Sequence, residues 1–175
     1  KDEVCYVGGI AQIRGIKEIV KAMEFTKNIK LNLAGSFSEK AVEKEVKTYN
    51  GWQKVNELGF LGRENISELY KKSKAGLVTL HPIINYLDAL PVKMFEYMAA
   101  KKAIISSDLP VLREILNEKN SILVDCENVQ EWVDAIDRLK DSEVRKQLAQ
   151  YAYDDFIGQY SWKQRAFNLV ELVNE

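Results

Sequence analysis

Short apolar runs alternate with amphipathic stretches along the first 124 residues, and this alternation constrains the fold more than any other feature of the chain. The apolar runs predict β-strands at residues 4–7, 30–34, 55–60, 76–80, 103–106 and 122–124. The stretches between them predict helices at residues 15–23, 38–49, 66–74, 91–100 and 110–117. Strands that alternate with helices form a parallel sheet with helices on both faces. We therefore predict an α/β, Rossmann-like fold with a six-stranded parallel sheet.

The strand pattern stops after residue 125. Three further helices are predicted at residues 129–139, 142–157 and 161–174. Ser161 is expected to cap the last helix, with Trp162 and Phe167 packing beyond it. No internal repeat or low-complexity linker interrupts the sequence, so residues 1–175 are interpreted as one domain.

The composition excludes several classes of protein. With 46% hydrophobic and 29% charged residues, the chain resembles an ordinary globular domain. Its net charge of −1 gives no reason to expect binding to nucleic acid or to an anionic membrane. The longest apolar runs are far shorter than the roughly 20 residues of a membrane span. Cys5 and Cys126 lack the spacing of a metal site, and we expect buried thiols in a reducing cytosol.

The unusual residues of the sequence follow the predicted strands. Gly8 and Gly9 follow the first strand, Gly62 and Arg63 follow the third, and residues 81–88 follow the fourth. In a parallel sheet these positions lie at one edge, beyond the carboxyl ends of the strands, where ligands bind. This convergence predicts a binding site at that edge.

The segment DALPVKMFEYMAA, residues 88–100, contains the strongest functional signal. Pro91 suits a first helical turn, and the N-terminus of a helix suits a phosphate group. Lys93 and Glu96 are three residues apart, so they share a helix face. Glu96 is flanked by apolar side chains, where a carboxylate is costly unless a group such as a sugar hydroxyl binds it. The segment therefore predicts a site for a phosphorylated sugar or nucleotide.

This segment resembles the acidic signature of the retaining GT-B glycosyltransferases, in particular the large family 4. In that family two acidic residues are separated by seven others, and Asp88 and Glu96 have this spacing. Residues 91–100 resemble the subgroup pattern P-x-K-x-F-E-Y-M-A-A. Other parts of the family pattern are matched by residues 6–15, 31–35, 60–62, 120–124 and 160–162.

The resemblance implies that residues 1–175 form the C-terminal, donor-binding half of a GT-B enzyme without its N-terminal acceptor domain. Such an enzyme would transfer a hexose-type sugar from UDP or GDP to a glycan or lipid-linked acceptor. It would need no cofactor and no metal ion held by the protein. The resemblance also implies a cytoplasmic location, at the inner face of the membrane if the missing domain makes peripheral contact there. The last helix of such enzymes usually crosses back to the missing half.

The resemblance assigns roles to particular residues. Asp88 would face the donor sugar and Glu96 would bind the ribose, and these two are the candidate catalytic residues. Arg14 and Lys93 would bind the diphosphate. The other candidate donor-binding residues are Gly8, Gly9, Gly62, Arg63, His81, Ala89 and Leu90, of which Ala89 and Leu90 would contribute backbone N–H groups.

The chain departs from the family pattern at two of these positions. The family often has arginine at the position of Gly9 and lysine at that of Arg14. The loop after the first strand, which would bind the diphosphate, therefore retains one of the two cations, Arg14. Asp88 stands where the family usually has glutamate.

Most candidate residues also have a purely structural alternative. Arg14 could be solvated, Lys93 could pair with Glu96, and Asp88 could simply initiate a helix. His81, the only histidine, could cap or pack rather than bind a ligand. Asn65 is expected to cap the helix that follows residue 62.

Two other functions are considered. A non-catalytic nucleotide-binding or interaction module on the same fold is favoured by Gly9 and Asp88. A nicotinamide-binding domain is disfavoured, because no G-x-G-x-x-G follows the first strand and no acidic residue ends the second.

Overall fold

The computed structural model describes residues 2–83 and 90–174, without the side chains of residues 168, 169 and 171–174. Its six strands form one sheet in the order β3-β2-β1-β4-β5-β6, with every neighbouring pair parallel. This confirms the predicted sheet. The strands are β1 Asp2–Val7, β2 Ile29–Ala34, β3 Val55–Gly59, β4 Ala75–Val78, β5 Ala103–Ser107 and β6 Ile122–Val124.

Eight α-helices accompany the strands in the described part of the chain. They are α1 Ile16–Phe25, α2 Lys40–Val46, α3 Arg63–Lys72, α4 Val92–Ala99, α5 Pro110–Arg113, α6 Val129–Arg138, α7 Ser142–Asp155 and α8 Trp162–Asn174. Short 3₁₀ turns, Gln12–Arg14 and Asn50–Lys54, precede α1 and β3. A π-helical turn, Phe156–Tyr160, continues α7. All eight predicted helices therefore exist, with different ends.

Three helix boundaries differ from the prediction by three residues or more. α3 begins at Arg63 with Gly62 at the N-cap, so Asn65 lies inside the first turn and does not cap it. α5 ends at Arg113 instead of residue 117. α2 ends at Val46 instead of residue 49, because the chain turns there toward the 3₁₀ segment that precedes β3. Each of these ends depends on a turn that the apolar spacing does not encode.

Two hydrophobic layers cover the sheet. β1 alternates between them, since Val4 and Tyr6 join the layer beneath α1 and α6, whereas Cys5 and Val7 join the layer beneath α3 and α4. This alternation is the two-residue period of a strand. Both cysteines are free and buried, as predicted. The two layers fix α3 and α4 on one side of the carboxyl edge and α1 on the other.

The C-terminal helices are capped by polar side chains. Asn128 accepts hydrogen bonds from two N–H groups of α6, and Asp141 does the same for α7. Ser161 accepts from the N–H of Gln164 at 3.2 Å, which confirms its predicted capping role. The expected packing of Trp162 and Phe167 is wrong within this chain, because they are 89% and 57% exposed. Among the helices of residues 2–83 and 90–174, none is long and apolar enough to cross a membrane.

Candidate functional site

A cavity of about 410 Å³ lies at the carboxyl edge of the sheet, where β1, α3 and α4 meet. Several residues singled out from the sequence line it together, although they come from distant parts of the chain. The lining residues are Val7, Gly8, Arg14, Ile66, Leu80, Leu90, Pro91, Val92, Lys93 and Glu96. The structure thus brings residues that follow β1, Gly8 and Arg14, together with the α4 residues Lys93 and Glu96.

Gly8 follows β1 in a conformation that favours glycine, with φ of +133°. Its N–H donates to the carbonyl oxygen of Ala34, and its own carbonyl lies against Gly35. A Cβ on Gly35, whose φ is +147°, would lie 1.9 Å from the Gly8 oxygen. The close approach of the ends of β1 and β2 therefore requires glycine at position 35, whereas the backbone conformation favours glycine at position 8.

The side-chain amine of Lys93 is buried in the wall of this cavity without a hydrogen-bond partner among the described residues. Less than 1 Å² of its Nζ is accessible. Nζ lies 3.5 Å from the centroid of the Tyr6 ring and 3.3 Å from the place where a Gly8 Cβ would be. Burial, followed by the charge of Arg14, lowers the pKa of Lys93 from 10.5 to about 7. A buried amine without a hydrogen-bond partner is costly, and an anion would relieve this cost.

Arg14 ends the 3₁₀ turn that follows the glycine loop, which consists of Gly8 and Gly9. The guanidinium of Arg14 donates to the carbonyl oxygen of Gly9 at 3.2 Å, and the backbone carbonyl oxygen of Arg14 accepts a hydrogen bond from the Thr79 hydroxyl. A Cβ on Gly9 would lie 2.7 Å from a terminal nitrogen of Arg14. Arg14 therefore occupies the space that a side chain at position 9 would need, and it brings a second cation beside Lys93.

Glu96 lies on the exposed side of α4 and forms no hydrogen bond to Lys93. Its Oε2 accepts a hydrogen bond of 2.8 Å from the hydroxyl of Tyr70, on α3. Burial, followed by this contact with Glu96, raises the pKa of the Tyr70 hydroxyl above its usual range. Tyr70 is not among the candidates that the sequence indicates, because the spacing of a single helix cannot locate the partner of a tyrosine hydroxyl on another helix.

A second cavity of about 340 Å³ adjoins the first over the ends of β1, β2 and β3. Gly8, Gly9 and Gly35 form its floor, and the 85% exposed ring of Phe60 lies at its side. Gly62 and Arg63 begin α3 in exposed positions beyond the residues that line this cavity. The two cavities share Gly8, so an elongated ligand could extend from one into the other.

His81 lies apart from both cavities. The ring atom Nε2 of His81 is 3.2 Å from Oε2 of Glu18, and the backbone N–H of His81 donates to the carbonyl oxygen of Ile13. These contacts hold the segment after β4 against α1. They agree with the structural alternative, and a ligand contact by His81 stays a prediction.

Asp88 and Ala89 lie outside the described residues, so the roles expected of them stay predictions as well. Their neighbour Leu90 lines the first cavity. Within residues 2–83 and 90–174, no group of three or more His, Cys, Asp or Glu side chains could hold a metal ion.

A family model described as Glycosyl transferases group 1 matches residues 1–155 of the sequence. None of the curated proteins compared with the chain matches it.

Solved structures resemble this chain throughout its length. Sucrose-phosphate synthase from Thermosynechococcus elongatus superimposes with a TM-score of 0.85 at 22% identity, over 99% of this chain and 45% of that one. Anabaena HepE in complex with UDP-glucose gives 0.82 at 16% identity, over 98% and 48%. The C-terminal domain of LpcC, a glycosyl transferase group 1 family protein from Francisella tularensis, gives 0.75 at 23% identity, over 93% and 87%. The chain thus spans less than half of the first two proteins, and the predicted fold is confirmed.

Proposed function

The chain belongs to the glycosyl transferases group 1 family, and on that premise we propose that it is the C-terminal, nucleotide-sugar-binding domain of a retaining glycosyltransferase. The complete enzyme would move a hexose-type sugar from UDP or GDP to a glycan or lipid-linked acceptor. The observation that carries this proposal is the convergence of two cations, Arg14 and Lys93, on the glycine loop at the carboxyl edge. The similarity to HepE, which was solved with UDP-glucose, supports a nucleotide-sugar donor.

The diphosphate would lie over Gly8, between the guanidinium of Arg14 and the amine of Lys93. Glycine at this position lets the phosphates approach the backbone, and the N-terminus of α4 adds a partial positive charge. The Nζ of Lys93 lacks a hydrogen-bond partner, so a phosphate oxygen would satisfy it. During transfer the same groups would stabilise the departing diphosphate, and the protein would need no metal ion for this step.

The remainder of the donor would extend from this point in two directions. The Glu96 carboxylate would accept hydrogen bonds from the ribose hydroxyls, since it lines the cavity beside Lys93. Asp88 would face the donor sugar, as the family signature implies. In this arrangement the acceptor contacts belong to a second domain, in keeping with the chain's coverage of 45% of sucrose-phosphate synthase.

Calorimetric titrations with UDP, GDP, uridine, guanosine and NAD test the proposal. Arg14→Ala and Lys93→Ala should each weaken diphosphate binding by about 1.5–3 kcal/mol, the scale of a charge-assisted hydrogen bond. Nucleoside affinity should hardly change, because the nucleosides lack the charged group. Diphosphate affinity should also fall with added salt, since ions screen charges over roughly 8–10 Å.

Lys146→Ala is the matched control, because Lys146 is 70% exposed on α7 and pairs only with Glu143 in the described part of the chain. It should bind every ligand as the unaltered chain does. If Arg14→Ala and Lys93→Ala left the ratio of diphosphate to nucleoside affinity unchanged, the phosphate site would have to be abandoned. Tight binding of NAD alone would point to a different class of domain.

A second candidate is a non-catalytic nucleotide-binding module on the same fold. It is favoured by the absence of a side-chain cation at Gly9, whose space Arg14 occupies. Such a module would bind the nucleoside diphosphate, but the complete protein would neither transfer nor hydrolyse the donor sugar. Assay of donor-sugar turnover by the complete protein separates the two candidates.

A further inference from the structure

Tyr70 contacts the site from α3 through a single polar atom. The residue is only 6% exposed, and its hydroxyl donates to Oε2 of Glu96 at 2.8 Å. Glu96 itself lies on the exposed side of α4, where a long side chain would otherwise sample several rotamers. The hydrogen bond therefore joins a flexible carboxylate to a buried, rigid group.

The ring of Tyr70 is held in place by a second tyrosine. It meets Tyr97 edge to face, with ring centroids 5.3 Å apart and an interplanar angle of 75°. Tyr97 is fully buried, and its hydroxyl accepts a hydrogen bond of 3.2 Å from the N–H of Val7. Its ring also covers Gly76, where a Cβ would lie 2.4 Å from the ring atoms. Tyr70 is thereby fixed relative to β1 and β4, and β1 also leads to Gly8.

We propose that Tyr70 is a positioning residue for the nucleotide, because its hydroxyl holds the Glu96 carboxylate where the ribose hydroxyls can reach it. The inference rests on the proposed function, in which Glu96 binds the ribose. An ionised carboxylate offers about four lone-pair directions, so one bond from Tyr70 leaves capacity for two ribose hydroxyls.

The chemistry of the contact suits this role. The raised pKa of Tyr70 keeps its hydroxyl protonated and able to donate a hydrogen bond. This hydroxyl contacts the carboxylate of Glu96 from its buried side. A carboxylate held in one place loses less freedom when the ligand binds, so more of its hydrogen bonding contributes to affinity.

Tyr70→Phe tests the proposal, because it removes the hydroxyl and leaves the ring to pack against Tyr97. Affinity for UDP and GDP should fall by about 3- to 10-fold, the range that corresponds to the net effect of one hydrogen bond. Affinity for the 2′,3′-dideoxy forms, which lack the ribose hydroxyls, should stay the same. In a Glu96→Ala background, Tyr70→Phe should have no further effect on any of these ligands.

Tyr49→Phe is the matched control, since the Tyr49 hydroxyl donates to Glu45 at 2.5 Å in an exposed position among residues that line neither cavity. It should leave all affinities unchanged.

The outcomes separate this inference from the proposed function. If Tyr70→Phe weakened the binding of UDP and GDP and that of their 2′,3′-dideoxy forms equally, Tyr70 would have a structural role and the inference would be overturned. Unchanged affinity for UDP and GDP in Tyr70→Phe would also overturn it, while leaving the donor site intact. If the unaltered chain bound neither UDP nor GDP, both the proposed function and the inference would fall.

Discussion

Replacing Lys93 by methionine should stabilise the chain while weakening its binding of nucleoside diphosphates. Methionine is similar in length but carries no charge, so the substitution removes the cost of burying an ammonium group without a hydrogen-bond partner. It also removes one of the two cations proposed to bind the diphosphate. Stability and affinity should therefore change in opposite directions.

The size of the gain follows from the pKa of Lys93, which is lowered from 10.5 to about 7. At 1.36 kcal/mol for each pH unit, the difference between these values corresponds to roughly 5 kcal/mol. The neighbouring Tyr6 ring and local relaxation in the variant reduce what an experiment would measure. At pH 7, where about half of the amine is protonated, we expect a gain of about 2–4 kcal/mol in the free energy of unfolding.

The gain should depend on pH in a defined direction. In the unfolded chain Lys93 keeps its proton up to pH 10.5, whereas in the folded chain it loses it near pH 7. Between these values the unfolded state binds more protons, so the unaltered chain becomes more stable as the pH rises. The advantage of Lys93→Met should be largest at pH 7 and below, and it should disappear as the pH approaches 10.5.

Urea unfolding of the two proteins at about pH 6.5 and about pH 9.5 measures this effect. Lys71→Met is the control, because Lys71 is 68% exposed on α3 and pairs with Glu68 at the surface. Its stability relative to the unaltered chain should stay nearly constant between these pH values. If Lys93→Met matched the unaltered chain, or differed from it by the same amount at both values, the Lys93 amine would not be buried as a costly charge.

Three further predictions concern the site and its surroundings. Glu96→Ala should weaken nucleotide binding in calorimetry by about 1–3 kcal/mol with little loss of stability, and unchanged affinity would mean a structural role. Gly35→Ala should cost more than about 2 kcal/mol in urea unfolding, because its Cβ would clash with the Gly8 carbonyl; a loss below about 0.5 kcal/mol would contradict this. The 175-residue chain should bind a nucleoside diphosphate but transfer no sugar, and transfer at the rate of the complete protein would disprove this.

Most of the sheet could be predicted from the sequence because its strands other than the edge strand β3 are largely buried on both faces. β5, for example, is buried at every residue, and such strands form continuous apolar runs. Helix ends were less predictable, since they depend on contacts between distant residues. Gly15 lies outside α1 with a left-handed φ of +69°, at a close contact with the Thr79 carbonyl oxygen that leaves no room for a Cβ. Trp162 and Phe167 look like core residues in the sequence but are exposed.

The location of the candidate site was also predictable, since it follows from strand ends meeting at one edge. Its internal contacts were not. The spacing of Lys93 and Glu96 suggested an ion pair, but Lys93 extends toward the Tyr6 ring and Glu96 binds Tyr70. These side chains come from α4, β1 and α3. The spacing of residues along α4 alone does not indicate which side chains of other elements they contact. The roles of Asp88 and Ala89 stay predictions.

The position of β1 has a consequence for how this chain folds. Although β1 is the first strand in the sequence, it lies in the middle of the sheet, where Val4 pairs with Leu31 on one side and with Ala75 on the other. The strand groups β2–β3 and β4–β5–β6 are therefore joined to each other only through β1 in the described sheet. Because the contact with β4 spans so much sequence, its loop-closure entropy should slow the search for the native topology. Synthesis from the N-terminus therefore leaves β1 paired with β2 alone until β4 emerges.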